Sequence, residues 1–190
     1  MKYDIMLAGV GGQGVLSLAA LIGRAAVAEG LHVKQSEVHG MAQRGGGVLS
    51  HLRLADHVIA SDLIPLGTAD MILSMEPLES LRYTAYLSPQ GTVVTAADPF
   101  VNIPNYPDKE EVLAKVRRLP RAVVIEAEKL AREAGEALSR NTVMVGAAAH
   151  LLPLKRESFE GAIRQTFGAK GERALEVNFA AFDAGWRVSA

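Results

Sequence analysis

The chain has 190 residues, with 20 basic and 21 acidic side chains, a formal net charge of −1 and no cysteine. This balance gives no field that favours nucleic acid or an anionic membrane surface. Without cysteine, the chain can form no disulfide and can hold no iron–sulfur cluster through thiolates. No apolar run approaches the roughly 20 residues that cross a bilayer, and the N-terminal run lacks the pattern of a cleaved signal. We therefore expect a cytoplasmic protein that binds neither nucleic acid nor membrane.

The first 35 residues predict a strand, a helix and a second strand. Residues 5–8 form a short apolar run that indicates a buried strand. Residues 13–29 carry apolar side chains at helical spacing, and Gly30 follows where helices commonly end in glycine. Residues 32–35 predict the next strand. A strand, glycine turn, helix and strand in this order are typical of a parallel sheet.

Residues 36–47 break this pattern, because four glycines and several polar side chains favour a loop over core structure. Residues 48–54 then alternate as a strand with one wetter face. The later segments follow the same signals of apolar runs, prolines and caps. They predict strands at 70–75, 92–96 and 121–126, a helix from Pro77 to about Leu87, a turn at 89–91, an irregular stretch at 98–107, and a helix capped by Asp108 that ends near Arg118.

From residue 127 onward the pattern is helical. Two short amphipathic helices are expected, separated by a break at 168–171. Their apolar faces carry Phe159, Ala162, Ile163 and Phe167 in one, and Leu175, Phe179, Phe182 and Trp186 in the other. The expected architecture is a single α/β domain, residues 1–190. It has a Rossmann-like, mostly parallel sheet with flanking helices, and residues 139–190 form a C-terminal helical extension.

The first glycine turn matches a known phosphate-binding pattern. Residues 9–14 read Gly-Val-Gly-Gly-Gln-Gly after a strand and before a helix, where glycines let a phosphate approach the helix N-terminus. A dinucleotide site would also need an acid after the second strand, and Glu37 stands near that place. The alternative is that the glycines only allow the helix to pack closely on the strand. The sequence leaves both interpretations open.

The second glycine-bearing segment should emerge at the same sheet edge, where open α/β sheets bind ligands. Arg44 could pair with a phosphate or carboxylate, and His39 titrates near neutral pH. The three consecutive glycines suit the close approach of another backbone. The candidate binding residues of both segments are Gly9, Gly11, Gly12, Gln13, Gly14, Glu37, His39, Gln43, Arg44, Gly45 and Gly46.

The histidines do not predict a metal centre or a catalytic residue. His39, His51 and His57 lack a ligand spacing, and no thiolate supports them. His51 on a strand and His150 in an apolar helix are expected to be structural, while Met71, Met75 and the C-terminal aromatic residues are expected in the core.

Together the two segments resemble the γ-type subunit of 2-oxoacid:ferredoxin oxidoreductases. The stretch His39-Gly40-Met41-Ala42-Gln43-Arg44-Gly45-Gly46 is similar to that of the indolepyruvate group in particular. Residues 60–65, Ala-Ser-Asp-Leu-Ile-Pro, and 74–79, Ser-Met-Glu-Pro-Leu-Glu, extend the resemblance. It covers essentially the whole chain.

The resemblance implies a role within a complex rather than a catalytic site on this chain. Such complexes decarboxylate an arylpyruvate, pass the acyl group to coenzyme A and reduce ferredoxin. Thiamine diphosphate, magnesium and [4Fe–4S] clusters would lie in a larger α subunit, because this chain lacks both cysteine and a Gly-Asp-Gly…Asn element. The resemblance places Arg44 and the glycine loop on the interface or coenzyme A side.

Other functions stay open at the level of sequence. A γ subunit specific for pyruvate or another 2-oxoacid would share most of these features. A stand-alone dinucleotide-dependent oxidoreductase would use Glu37 and His39, and an anion-binding module would use the first glycine turn alone. The isolated chain could also form a homodimer through the surface meant for its partner.

Overall fold

The computed structural model describes residues 1–39, 45–101 and 103–189. The strands are β1 (Lys2–Val10), β2 (His32–His39), β3 (Gly47–Ala55), β4 (Ala69–Ser74), β5 (Leu87–Ala96) and β6 (Ala122–Ile125). The helices are α1 (Val15–Ala28), α2 (Pro77–Arg82), α3 (Lys109–Arg117), α4 (Ala127–Glu133), α5 (Arg140–Ala149), α6 (Arg156–Phe167) and α7 (Glu172–Ser189). Short 3₁₀ turns lie at Thr84–Tyr86, Ala137–Ser139 and Gly168–Lys170.

The six strands form one mostly parallel sheet in the order β2-β3-β1-β4-β5-β6. Strands β1, β4, β5 and β6 are parallel neighbours, while β3 runs antiparallel between β1 and β2. This confirms the predicted Rossmann-like class. It also corrects one detail, since β1 and β2 run in the same direction but are not adjacent.

The strand β2 is longer than its sequence predicts. Residues 36–39 were expected in a loop, but they continue β2 and pair with Leu49, Ser50, His51 and Val48 of β3. Their polar character reflects position, because β2 is an edge strand and Val38 is 57% exposed. An edge strand does not need the apolar alternation of a buried one.

Two further expectations on the later strands and helices are wrong. The predicted turn at 89–91 lies inside β5, where three extra residues bulge between the pairs Ala69–Leu87 and Met71–Thr92. The helix that begins at Pro77 ends at Arg82, and the chain then makes a 3₁₀ turn. The predicted cap of α3 is confirmed, because the Asp108 carboxylate accepts from the amides of Glu110 and Glu111.

The core lies on both faces of the sheet. One face packs against α1, α5, α6 and α7 through Ile5, Leu7, Leu73 and the buried rings of Phe159 and Phe182. The other face, with Met6, Ile72 and Val93, is smaller and includes Val116 of α3. This two-sided burial explains why the central strands are continuous apolar runs.

Histidines 51 and 150 have different surroundings. His51 is buried, its Nδ1 accepts from the Ile64 amide at 3.0 Å, and its ring meets Tyr86 edge-on. Burial lowers its pKa, which fits the expected structural role. His150 is instead exposed directly after α5, where its ring lies tilted against that of Trp186 with 3.6 Å between the ring centroids.

Candidate functional site

Both glycine-bearing segments meet at the carboxyl edge of the sheet. The Gly11 amide donates to the Gly46 carbonyl at 2.8 Å, and the Gly45 amide donates to the Gly11 carbonyl at 3.2 Å. These bonds extend the antiparallel pairing of β1 with β3, in which Val10 lies opposite Gly47. We call Gly11, Gly12, Gly14, Gly45 and Gly46 the glycine corner.

The first glycine turn requires glycine at three positions, for two different reasons. Gly12 and Gly14 have φ of 99° and 77°, in the left-handed region that disfavours side chains. Gly9 has a different reason, because a Cβ there would lie 2.8 Å from Val15 Cγ2 and 3.2 Å from Met75 Cβ. Gly9 thus serves close packing of α1 on β1, while Gly12 and Gly14 set the path of the turn.

Gln13 ties this turn to the neighbouring strand. Its side chain is buried, its Oε1 accepts from the Val10 amide at 2.8 Å, and its Nε2 donates to the Met75 carbonyl at 3.2 Å. Both ends of the amide are therefore engaged within the fold. The geometry gives Gln13 a positioning role at the base of the corner.

The cleft at the glycine corner is lined by glycine backbone and apolar side chains rather than by charged groups. A cleft of about 250 Å³ is lined by Val10, Gly11, Gly12, Gly14, Val15, Leu16 and Val48. The first amides of a helix have no intrahelical partner, and Gly14 supplies no side-chain cap to α1. The first turn of α1 contains no acidic residue. Such a surface suits an anionic group or the close approach of another protein backbone.

The remaining predicted residues belong to the other connection. Glu37 lies on β2 opposite Ser50, and His39 is the last residue of that strand. The side chain of His39, with Gln43 and Arg44, lies outside the described residues. Strand β3 separates β2 from β1, so at about 4.8 Å per strand Glu37 belongs to a strand roughly 10 Å from β1. This spacing does not fit the adjacent acid that a dinucleotide site requires.

Sequence reasoning missed a second cleft that borders the glycine corner. It measures about 380 Å³ and is lined by Gly45, Gly46, Gly47, Glu76, Leu78, Glu79, Arg82, Tyr83, Ile103 and Tyr106. We call it the acidic cleft, after the buried carboxylates of Glu76 and Glu79. The sequence did contain a signal for this cleft. Glu76 and Pro77 closely follow the buried strand β4, which is parallel to β1, and parallel strands end at the same edge of a sheet.

Among the described residues, no group of three or more histidine, aspartate or glutamate side chains could hold a metal ion. Within the same ranges, no helix is long and apolar enough to cross a membrane. The two clefts at this edge offer backbone amides, the carboxylates of Glu76 and Glu79 and the guanidinium of Arg82.

Comparison with known proteins places this architecture in a family. The family described as "Pyruvate ferredoxin/flavodoxin oxidoreductase" matches residues 4–188. The chain belongs to this family.

Two individual relatives show which subunits within this family the chain is similar to. "Indolepyruvate oxidoreductase subunit IorB" of Pyrococcus horikoshii is 40% identical over 99% of this chain and 96% of its own length. "Pyruvate/ketoisovalerate oxidoreductases common subunit gamma" of Pyrococcus abyssi is 31% identical over 95% of each chain. The resemblance to the indolepyruvate group is thereby confirmed.

A solved structure shows the same fold within a larger chain. It is a 2-oxoglutarate:ferredoxin oxidoreductase from Magnetococcus marinus, described with 2-oxoglutarate, coenzyme A and succinyl-CoA bound. The TM-score is 0.78 at 23% identity over 99% of this chain. The chain spans about a third of that protein, 31% of its length.

Proposed function

We propose that this chain is the non-catalytic small subunit of an indolepyruvate-type 2-oxoacid:ferredoxin oxidoreductase. The observation that carries the proposal is the full-length similarity to an indolepyruvate oxidoreductase subunit, together with a glycine corner at the ligand-binding edge of the sheet. The complex would oxidatively decarboxylate an aryl 2-oxoacid to its acyl-CoA and reduce ferredoxin. The cytoplasm is the proposed location.

The chain's own residues fit a docking role. Thiolate-held clusters belong to a partner, since this chain has no cysteine. Thiamine diphosphate and magnesium are likewise assigned to the larger α subunit, which supplies the redox chemistry. Within this proposal the glycine corner receives either the partner's backbone or an anionic part of coenzyme A, and the described edge contributes shape and amide donors.

The proposed division of labour predicts that the purified chain alone has no 2-oxoacid oxidation activity. In an assay with indolepyruvate, coenzyme A and a viologen dye, reduction of the dye should appear only when the larger subunit of the same organism is added. The physical reason is that the chain has no cysteine and so holds no thiolate-bound iron–sulfur cluster that could accept the electrons. The larger subunit alone is the control and should be much less active than the mixture. Dye reduction by the isolated chain at the rate of the mixture would contradict the proposal.

A further inference from the structure

The acidic cleft contains one carboxylate whose bonding is complete. Glu76 caps α2, because its Oε2 accepts from the Glu79 amide at 2.7 Å. Its Oε1 accepts from the Tyr106 hydroxyl and, at 3.5 Å, from the Phe100 amide. Glu76 therefore holds Phe100 and Tyr106 against the start of α2, and its role is structural.

The second carboxylate is different. Glu79 is 4% exposed, and its Oε2 accepts no hydrogen bond from the part of the chain that the structure describes. Arg82 Nε forms an ion pair with that oxygen at 3.2 Å, but without the geometry of a hydrogen bond, and the Arg82 side chain is 57% exposed. A buried acceptor without a hydrogen bond costs free energy, so such a group calls for an explanation.

The absence of a side chain at Gly47 leaves the space that the Glu79 carboxylate occupies. A Cβ on Gly47 would lie 3.1 Å from Glu79 Oε2, so any larger residue would crowd the oxygen. Burial, the largest cause, raises the pKa of Glu79, and the neighbouring Glu76 charge raises it further against the opposing effect of Arg82. The site keeps a carboxylate where an apolar side chain would cost less.

The walls of the cleft indicate what kind of group would satisfy Glu79. A carboxylate oxygen needs an N–H donor, preferably a charged one. Tyr83, Tyr106, Leu78 and Ile103 line the sides, and aromatic and apolar walls suit a flat guanidinium or the alkyl stem of a lysine. With Glu76 and Glu79 against Arg82, the lining carries a net negative charge when both carboxyls are ionised.

We propose that the acidic cleft receives one arginine or lysine side chain of the larger subunit, with Glu79 Oε2 as its acceptor. This inference rests on the proposed function. The position of the cleft supports a protein as the occupant, because Gly45 and Gly46 of the glycine corner also line the acidic cleft. A protein that covers the corner would also cover the cleft.

The test compares Glu79→Gln with the wild-type chain. The dissociation constant for the larger subunit should rise at least about tenfold, because glutamine replaces the charged partner of a buried ion pair. The melting temperature of the isolated chain should stay the same or rise, since the substitution removes a buried charge that lacks a full partner. Glu176→Gln, an exposed carboxylate beyond the first turn of α7, is the matched control and should change neither value.

The outcomes separate this inference from the subunit assignment. Unchanged affinity of Glu79→Gln for the larger subunit would overturn the inference and leave the assignment intact. Weaker association together with a lower melting temperature would also overturn it, because Glu79 would then be an internal brace. Failure of the wild-type chain to bind any larger subunit would remove both proposals.

Discussion

Replacing Leu16 with glutamate should weaken binding of the larger subunit by about 100-fold, because it introduces a negative charge at the mouth of the glycine corner. Leu16 is 43% exposed, lies in the first turn of α1 and lines the corner cleft. An acidic residue there interacts favourably with the helix N-terminus, so the isolated chain should be at least as stable as the wild type. Association measured by interferometry and thermal melting of the free chain test the two parts.

A control on the same helix separates the corner from general surface charge. Val27→Glu changes another exposed apolar residue, 62% exposed, near the opposite end of α1. At 1.5 Å per residue it lies about 16 Å from Leu16 along the axis. Its affinity should stay near that of the wild type. Equal losses from both substitutions would show that the corner has no special part in docking.

Replacing Gly185 with alanine should lower the free energy of unfolding by about 3 kcal/mol or more, since the added methyl has nowhere to go. A Cβ at Gly185 would overlap the Val143 carbonyl and lie 2.8 Å from the Ala147 nitrogen. Both obstacles are backbone of α5, so relief requires α5 and α7 to move apart. Gly146 faces the same contact from the other side, where a Cβ would overlap the backbone of Phe182.

The matched control lies on the neighbouring helix. A Cβ at Gly161 of α6 meets no heavy atom within 4 Å, and alanine is the better helix former. Gly161→Ala should therefore stabilise the chain by about 0.5–1 kcal/mol. Denaturant unfolding measures both effects. Similar stability of Gly185→Ala and the wild type would refute the close packing of α5 and α7.

Local signals predicted much of the frame. The apolar run 5–8, the helical spacing of 13–29 and Asp108 each describe neighbours in sequence, and each appears in the structure as β1, α1 and the cap of α3. The meeting of the two glycine segments was also predictable, since parallel strands end at one edge. Here the Gly11–Gly46 hydrogen bond confirms it.

The order and direction of the strands could not be predicted from such local signals. Nothing local in residues 47–55 states that this strand inserts antiparallel between β1 and β2, because strand order depends on partners far apart in sequence. That insertion weakens the dinucleotide interpretation, which needs an acid at the end of a strand adjacent to β1. The polar residues 36–39 were mistaken for loop because edge strands need no buried face.

The acidic cleft could not be predicted from the sequence for a related reason. Residues 74–79 stood out only through family resemblance, and their sequence does not show that Glu76 is consumed by capping while Glu79 Oε2 lacks a hydrogen bond. The distinction depends on Tyr106 from one distant segment and Gly47 from another. The different roles of Glu76 and Glu79 can be seen only in the structure, where the segments that contain them, Gly47 and Tyr106 come together at one edge of the sheet.

Hydrogen–deuterium exchange of the chain, free and bound to the larger subunit, tests the central claim most directly. The docking account predicts that the largest slowing on binding occurs at residues 11–17 and 45–49, which contain the glycine corner and the start of α1. Residues 56–68 connect β3 to β4 at the opposite edge of the sheet and serve as the internal comparison. Slowing confined to residues 56–68, with unchanged exchange at the corner, would contradict the account.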